Sequence, residues 1–439
     1  MRSVRLAVVA TVVLPLSLVL GGSPAQAASS ATASTVAVGN ESSCVVLTTG
    51  VVNCWGANSS GELGNSSTTD SNVPVAVTGI SNAVSIALGN QTACALLATG
   101  SIDCWGSGAS GQLGNGSNVN SNSPVAVTGV TNAVTVSVGG NFACALLATG
   151  SIQCWGDGFF GELGDGSFSS SNVPVGVTGI ANATSIFDGL FAGEACATLA
   201  TGSISCWGDN THGALGNGAG PNSDVPVVVA GISNATYTGV GSYNACALLA
   251  TGSVECWGYN AFGDLGNGTA TDSLTPTSVV GITSAVKLSV GDDQSCVVLS
   301  GGSMMCWGYG YSGVLGNGAF NVSTVPVAVL NITNAVTVAV GYDQACAVLT
   351  TGVVNCWGLA GLGQLGNGSN ANSDLPVAVT GISNAAISVG GSAGGKTGPP
   401  HRHGKEPPRR DGRPPRHGVH RHREGPPESA GRGAGTKHK

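Results

Sequence analysis

Fourteen cysteines recur as seven pairs, Cys44 with Cys54, Cys94 with Cys104, Cys144 with Cys154, Cys196 with Cys206, Cys246 with Cys256, Cys296 with Cys306 and Cys346 with Cys356, and the second of each pair precedes Trp-Gly. Successive pairs lie 50 residues apart, except for one step of 52 between Cys144 and Cys196. Self-similarity at such a period means one supersecondary unit used over and over, each copy burying its apolar face against its neighbours. Between the pairs recur Gly-x-Leu-Gly-Asn/Asp, as at Gly111 to Asn115 and Gly363 to Asn367, and a Pro-Val segment such as Pro124-Val125. An alternating run led by Asn-Ala follows, as at Asn132 to Gly139. Short Val/Ile/Thr/Leu runs punctuated by Gly-rich turns read as β-strands.

Each unit offers four strands, here A to D; in the third they are predicted at 133–138, 143–148, 151–155 and 174–178. Four antiparallel strands repeated seven times predict an all-β, seven-bladed β-propeller over 28–391, because closing the ring removes the free sheet edges of an open array. An A-like strand at Thr35 to Gly39 precedes the first cysteine and an eighth copy, Ala385 to Gly390, follows the last D strand. Either the two ends share one closing blade or the ring stops before a further repeat. In Cys144 to Cys154 a three-residue turn at Ala148-Thr149-Gly150 places the two cysteines directly opposite each other, within disulfide reach. Seven bridges inside hairpins are therefore expected, each worth roughly 2.5 kcal/mol in the chain-entropy picture. A metal reading is weak, since no Cys-x-x-Cys occurs and His212 is the one histidine of the body. The seven tryptophans from Trp55 to Trp357 read as filler between blades, the alternative being seven binding residues.

The string Cys104-Trp105-Gly106-Ser107-Gly108-Ala109-Ser110-Gly111-Gln112-Leu113-Gly114-Asn115-Gly116 resembles the repeat of the regulator of chromosome condensation family, as does Trp357 to Gly368. The resemblance recurs over essentially all of 35–390 and implies a seven-bladed propeller, in agreement with the repeat count. The paired cysteines resemble a secreted bacterial branch of that family. The founding member binds chromatin and acts on a small GTPase; guanine-nucleotide exchange would come to this chain by analogy alone. The family also includes an exported β-lactamase inhibitory protein that binds its target through one propeller face.

The ends differ from the body. Arg2 and Arg5, an apolar run from Leu6 to about Leu20 and Ala25-Gln26-Ala27 read as a signal peptide over 1–27, the alternative being an uncleaved anchor. Export would bring the chain where disulfides persist, in a secreted or cell-surface setting with no membrane span after cleavage. From 392 to 439 the chain is rich in Pro, Arg, His and Gly and carries twelve Lys+Arg against four acids. That composition predicts disorder. It reads either as a polycationic arm for anionic surface polymer or as out-of-frame sequence. The body holds eighteen acids and a single Lys or Arg, Lys287, for a charge of 1 − 18 = −17. Such a body is unsuited to nucleic acid, whose phosphates call for many cations.

In an antiparallel blade the A-to-B and C-to-D loops leave from one face. B-to-C turns are nearly uniform, mostly Ala-Thr-Gly, whereas the A-to-B and C-to-D loops vary. Phe142, Phe191, Tyr243 and Tyr342 fall in the first loop set, and Phe159, Phe160, Tyr259, Phe262, Tyr309 and Tyr311 in the second. Fifteen of the eighteen acids fall there too: Glu41, Glu62, Asp70, Asp157, Glu162, Asp165, Glu194, Asp209, Asp224, Asp264, Asp272, Asp292, Asp293, Asp343 and Asp374. An acidic, aromatic, variable face on a uniform scaffold reads as a recognition surface, most simply for a protein partner. Drift of surface loops is the bland alternative.

No catalytic constellation emerges. A nucleophile relay would rest on His212 alone, and no cysteine is left over. Asp292-Asp293 could serve a glycosidase, but neighbours in a loop tend to point apart. Calcium would call for an Asp-x-Asp-x-Asp run, which is missing. The expectation is a non-enzymatic binding module without cofactor or metal, with a cell-wall carbohydrate-binding or hydrolytic protein as the alternative. Intact mass checks the framework: the native protein takes no alkylating groups and takes fourteen after reduction, and a fully alkylated native protein would remove the bridges.

Overall fold

The computed structural model of the protein describes residues 35–191, 193–218 and 220–387; the expected leader 1–27 and the basic segment 392–439 lie outside them. Twenty-eight strands form seven antiparallel four-stranded sheets over 36–76, 83–126, 133–176, 183–228, 235–278, 285–328 and 335–378, blades 1 to 7. Strand order in each sheet follows chain order, A-B-C-D. The A strands of successive blades pack side by side around an axis, the first against the last. The fold is the seven-bladed propeller that the period predicts.

In blade 3 the strands are Ala133–Val138, Phe142–Leu147, Ile152–Gly156 and Ser171–Gly176. Strand D starts three residues before its predicted onset and runs through Pro174. The Pro-Val signal marks its middle. This is the outermost strand, so the N–H that proline lacks removes no ladder bond, and the residue also blunts an exposed edge.

Every cysteine pair is closed inside its own blade, between strands B and C. Cys44 is bonded to Cys54, Cys94 to Cys104, Cys144 to Cys154 and Cys196 to Cys206. In the last three blades Cys246 is bonded to Cys256, Cys296 to Cys306 and Cys346 to Cys356. These are the seven partners expected from the hairpin spacing. Each pair stands directly opposite in its B–C ladder, as Cys144 does to Cys154, and across the seven bridges the Cα atoms are 4.0 to 4.1 Å apart. Gly150, at φ +82°, supplies the left-handed residue that ends the turn, where a side chain would be strained. All fourteen sulfurs belong to fully buried residues. Such a framework belongs to a protein that folds where thiols are oxidised.

The blades are joined by the tryptophans. Each is fully buried and donates its indole N–H to a backbone carbonyl of the preceding blade: Trp105 to Glu62, Trp155 to Gln112, Trp207 to Glu162, Trp257 to Ala214, Trp307 to Asp264 and Trp357 to Val314, at 2.7 to 2.9 Å. Trp55 closes the ring by donating to Gln364 of blade 7 at 2.8 Å. They are filler between blades, as their spacing predicts, and also hydrogen-bond donors.

The question of the eighth A-like copy resolves into a shared strand. In blade 2, Ala83 pairs with Leu97 and Ile86 with Ala95. In blade 1 the equivalent partners come from opposite ends of the chain: Ala385 bridges Leu47, while Val36 pairs with Val45. Ala386 N–H bonds the Val46 carbonyl at 2.9 Å, and Val46 N–H bonds Thr35 at 2.8 Å. Residues 388–390 of that copy lie outside the described residues. The axial channel is narrow, about 150 Å³, and lined by A-strand side chains including Ser85, Thr135, Asp188, Tyr237 and Ser289.

Replacing Trp257 by Phe keeps the ring but leaves the Ala214 carbonyl buried without its donor. The expected cost is about 1–3 kcal/mol, read as a lower chemical-denaturation midpoint than wild type; an unchanged midpoint would show that shape alone holds the blades.

Candidate functional site

The loops that vary share one end of the ring. In every blade the residue after strand C donates its N–H to the last A-to-B loop residue, as in Ala57 to Glu41, Tyr259 to Tyr243, Tyr309 to Asp293 and Leu359 to Asp343, at 2.8 to 2.9 Å. These bonds stitch the two loop sets into one surface. The B-to-C turns bond the D-to-A turns at the opposite end, as in Ala148 N–H to Asn132.

Six rings on this surface form a continuous ladder across blades 4, 5 and 6. Tyr243 neighbours His212, and the run continues through Tyr259, Phe262, Tyr309 and Tyr311 with centroid spacings of 4.8 to 6.4 Å, every contact edge to face. Tyr311, at 59 % exposure, marks its most open end, and Tyr243 is also exposed. Tyr259, Phe262 and Tyr309 are half-buried. Phe191, on the longer A-to-B loop of blade 4, packs edge to face with Tyr342 of blade 7 at 5.4 Å. Phe159 and Phe160 of blade 3 form a separate exposed pair 5.1 Å apart.

Phe142 departs from the expectation of a displayed ring. It opens strand B of blade 3 at 1 % exposure, packed with Leu146, Leu163, Ile186 and Trp207, and is therefore core. Loop parity placed its backbone correctly, but its side chain turns into the gap between blades. His212 enters the ladder although the sequence had offered it as a lone catalytic histidine or an isolated metal ligand. It adopts φ +59°, unusual for a residue with a side chain, and its Nδ1 lies 2.6 Å from Asp272 Oδ2 of the next blade. Phe168 and Phe320, in the later parts of two C-to-D loops, are exposed as well. The same parity rule would have found both.

The acids divide into two groups. Asp157, Asp165, Asp272 and Glu41 reach solvent, whereas Glu62, Glu162, Glu194, Asp209 and Asp264 are buried rather than displayed. Asp224 and Asp374 belong to strand D. The burial has a local cause. The middle residue of Gly-x-Leu-Gly folds back on its turn: Glu62 accepts from Ser60 N–H at 2.9 Å, Glu162 from Phe160 N–H at 2.8 Å and Asp264 from Phe262 N–H at 3.2 Å. Gln112 and Gln364 do the same from their own positions, so the bond serves the loop whatever the charge. Burial then pushes Glu162 up to about 7 and Asp264 up to about 8, the latter helped by Asp293. Burial, with Asp292 and Asp343, lifts Asp293 to about 7, and burial lifts Asp343 to about 6. Asp292 accepts from the Ser242 hydroxyl of blade 5.

The first residue of strand B shows what a buried acid does here. Gln294 donates its side-chain amide to Gly341 at 2.8 Å and to Tyr342 at 2.6 Å, and Gln344 donates to Gly39 at 3.3 Å, each reaching the next blade's loop. Glu194 holds that position in blade 4, fully buried, with neither carboxyl oxygen hydrogen-bonded. Its carboxyl and the Gly241 carbonyl crowd the same glycine, Gly189, where a Cβ would meet them at 3.0 and 2.7 Å. Burial, then Asp209, and more weakly Asp292 and Glu162, drive its proton affinity well above the ordinary carboxylate range. As an acid it can donate where the glutamines donate.

No group of three or more His, Cys, Asp or Glu suited to a metal ion occurs among the described residues. Among the same residues no helix is long and apolar enough to cross a membrane.

Two sequence profiles described as the regulator of chromosome condensation (RCC1) repeat match the chain, one at 49–96, 100–146 and 251–298, the other at 33–62, 83–112 and 133–162. No curated protein matches by sequence. Among solved structures, yeast RCC1 (Prp20) in complex with Kap60 is similar at 19 % identity and a TM-score of 0.67, over 79 % of this chain and 85 % of that one. Prp20p from Saccharomyces cerevisiae, described with its binding to Gsp1p and histones, is similar at 18 % and 0.66, over 79 % and 87 %. Human WBSCR16 is similar at 19 % and 0.65, over 72 % and 87 %. At these identities the likeness is one of fold.

Groups whose folded proton affinity is raised hold protons that the unfolded chain, with ordinary values of 3.8 for Asp and 4.5 for Glu, releases earlier. Their contribution is full below about pH 4 and falls as pH rises, that of Asp264 being lost as pH passes about 8. Glu194→Gln keeps the shape and removes one titration. Its melting temperature is expected to fall less than that of wild type between pH 5 and pH 8; an identical fall would mean that Glu194 does not titrate with folding.

Proposed function

We propose that this chain, a propeller built from repeats of the RCC1 family, is an exported, non-catalytic interaction module that holds another protein on its loop face. The observation that carries the reading is the ring ladder from Tyr243 to Tyr311, three blades wide, on the one face whose loops differ from copy to copy. Aromatic side chains supply large, stiff contact area and dominate binding hot spots, and a rigid scaffold holds the loops that bear them. Phe159, Phe160, Phe191 and Tyr342 extend the same surface towards blades 3 and 7. Yeast RCC1, which shares the fold, is itself seen bound to another protein, Kap60. Nucleotide exchange on a GTPase is not carried over, because only the fold is shared. Seven closed disulfides support an extracellular or cell-surface setting.

A second reading, a carbohydrate-binding or hydrolytic protein, is favoured by two carboxyls, Asp264 at about 8 and Asp293 at about 7, that both act on the Tyr259 hydroxyl. Carboxyls with raised proton affinity suit acid–base work.

The test combines Tyr259→Ala, Tyr309→Ala and Tyr311→Ala in one variant, with a control changed on the opposite face at Thr149 and Thr251. Affinity capture from cell envelopes followed by mass spectrometry is expected to lose its specific protein with the ladder variant and keep it with the control, at unchanged melting temperature. Capture that survives in the ladder variant would discard this face. Binding on a glycan array or release of reducing ends would instead favour the second reading.

A further inference from the structure

The ladder is interleaved with carboxyl groups, none of them paired with a Lys or Arg among the described residues. Tyr259 is influenced by Asp293, Asp264, Asp272 and Asp292, and Tyr309 by Asp343 and Asp293, all acting with burial to hold the phenols above their usual range. Tyr342 is held up in the same way by Asp343, Asp292, Asp293 and Glu41. Lys287 is the one Lys or Arg among the described residues, half-buried on the innermost strand of blade 6, where burial lowers its ammonium. The one other basic group, His212, is already paired with Asp272.

Beneath the rings the imbalance continues. Asp264 is fully buried; its Oδ2 accepts from Phe262 N–H while its Oδ1 has no partner at all. Within a protein such acceptors are otherwise satisfied, and an unpaired one is costly. Ring faces carry negative potential and attract ammonium and, more often, guanidinium groups. Carboxylates beside them add charge-assisted, bidentate partners. A neutral sugar would leave the carboxylates uncompensated, and a polyanion would be repelled.

On these grounds, and resting on the reading of the loop face above, we propose that the partner segment lying along the ladder is a cationic one, its arginine or lysine side chains seated over Tyr259 and Tyr309 and held by Asp293 and Asp343. The groups facing those two carboxyls are Asp292 of the same loop, Asp264 and Tyr259 of blade 5, Tyr309 and Ser312 of blade 6, and Tyr342 of blade 7. None is a cation, so none competes with the ligand. A cation binds the ionised carboxylates, so capture releases protons and strengthens as pH rises. With Asp343 poised at about 6 and Asp293 at about 7, the change falls between pH 5.5 and pH 8.

The experiment titrates the full chain with hexa-arginine and with hexa-citrulline, which has nearly the same shape and no charge, at pH 5.5 and pH 8. Binding is read calorimetrically and by displacement of the captured partner. Hexa-arginine is expected to bind about tenfold more tightly at pH 8, to weaken with salt and to displace the partner, while hexa-citrulline does not bind. Combining Asp293→Asn with Asp343→Asn is expected to weaken hexa-arginine about tenfold. Equal binding of the two peptides, or binding indifferent to the double substitution, overturns the cationic assignment. The two levels separate cleanly: if the triple alanine variant of Tyr259, Tyr309 and Tyr311 abolishes partner capture but hexa-arginine does not displace the partner, the face stands and the cationic class falls. If partner capture survives that triple substitution, the face itself falls.

Discussion

Each indole N–H of this ring reaches across a blade boundary to one backbone carbonyl, and the rest of the structure is arranged around that bond. It fixes the distance and tilt between neighbouring sheets seven times over, including the junction where Trp55 of the first blade meets Gln364 of the last. The carbonyl belongs to the middle residue of Gly-x-Leu-Gly, and the next glycine of that motif must lie under the indole. At Gly216, with φ +62°, a Cβ would sit 2.7 Å from Trp257 Nε1. A side chain there would push the ring away and lose the bond, so tryptophan and glycine are required together though 41 residues apart in sequence. The disulfides act at a different level. They lock B to C within a blade and leave the boundary to the tryptophans.

A scaffold held this firmly lets the loops at one end differ. The D-to-A and B-to-C turns bond each other and stay uniform, because a change in one would disturb the neighbouring blade. The A-to-B and C-to-D loops are tied to the next blade through backbone groups, as in Asn90 N–H to Gly139 and Gly116 N–H to Asn172, so each copy can still carry its own side chains. The ladder arises from this freedom: no blade holds more than three of its six rings, and only the angular spacing of blades 4, 5 and 6 brings them to within 6.4 Å of one another.

The carboxyls beneath the ladder follow from the same economy of repeats. The position that accepts a turn N–H in five copies is Gln in two of them and Glu or Asp in three, while Ala214 and Val314 fill it in the other two. Where the acid is chosen, burial raises its proton affinity, so the negative charge of the face develops gradually up to about pH 8 as Asp264 ionises. A formal count of acids therefore overstates the charge at mildly acid pH.

The sequence alone determined the period, the number of blades, the four strands of each, the pairing of all fourteen cysteines and the face on which the variable loops gather, because each of these depends on spacing within one repeat or on strand parity. It also pointed to packing tryptophans. What it did not contain was the direction in which a loop side chain turns. Phe142 and Tyr243 stand on A-to-B loops of the same face by parity, yet one is core and the other exposed, since Phe142 begins strand B with its ring in the blade gap while Tyr243 precedes that point by one residue. The entry of His212 into the ladder, the burial of Glu194, and the sharing of one strand by Thr35 to Val38 and Ala385 were decided by ring closure. They are contacts between different blades, and no periodicity within a single unit encodes the distance from one blade to the next.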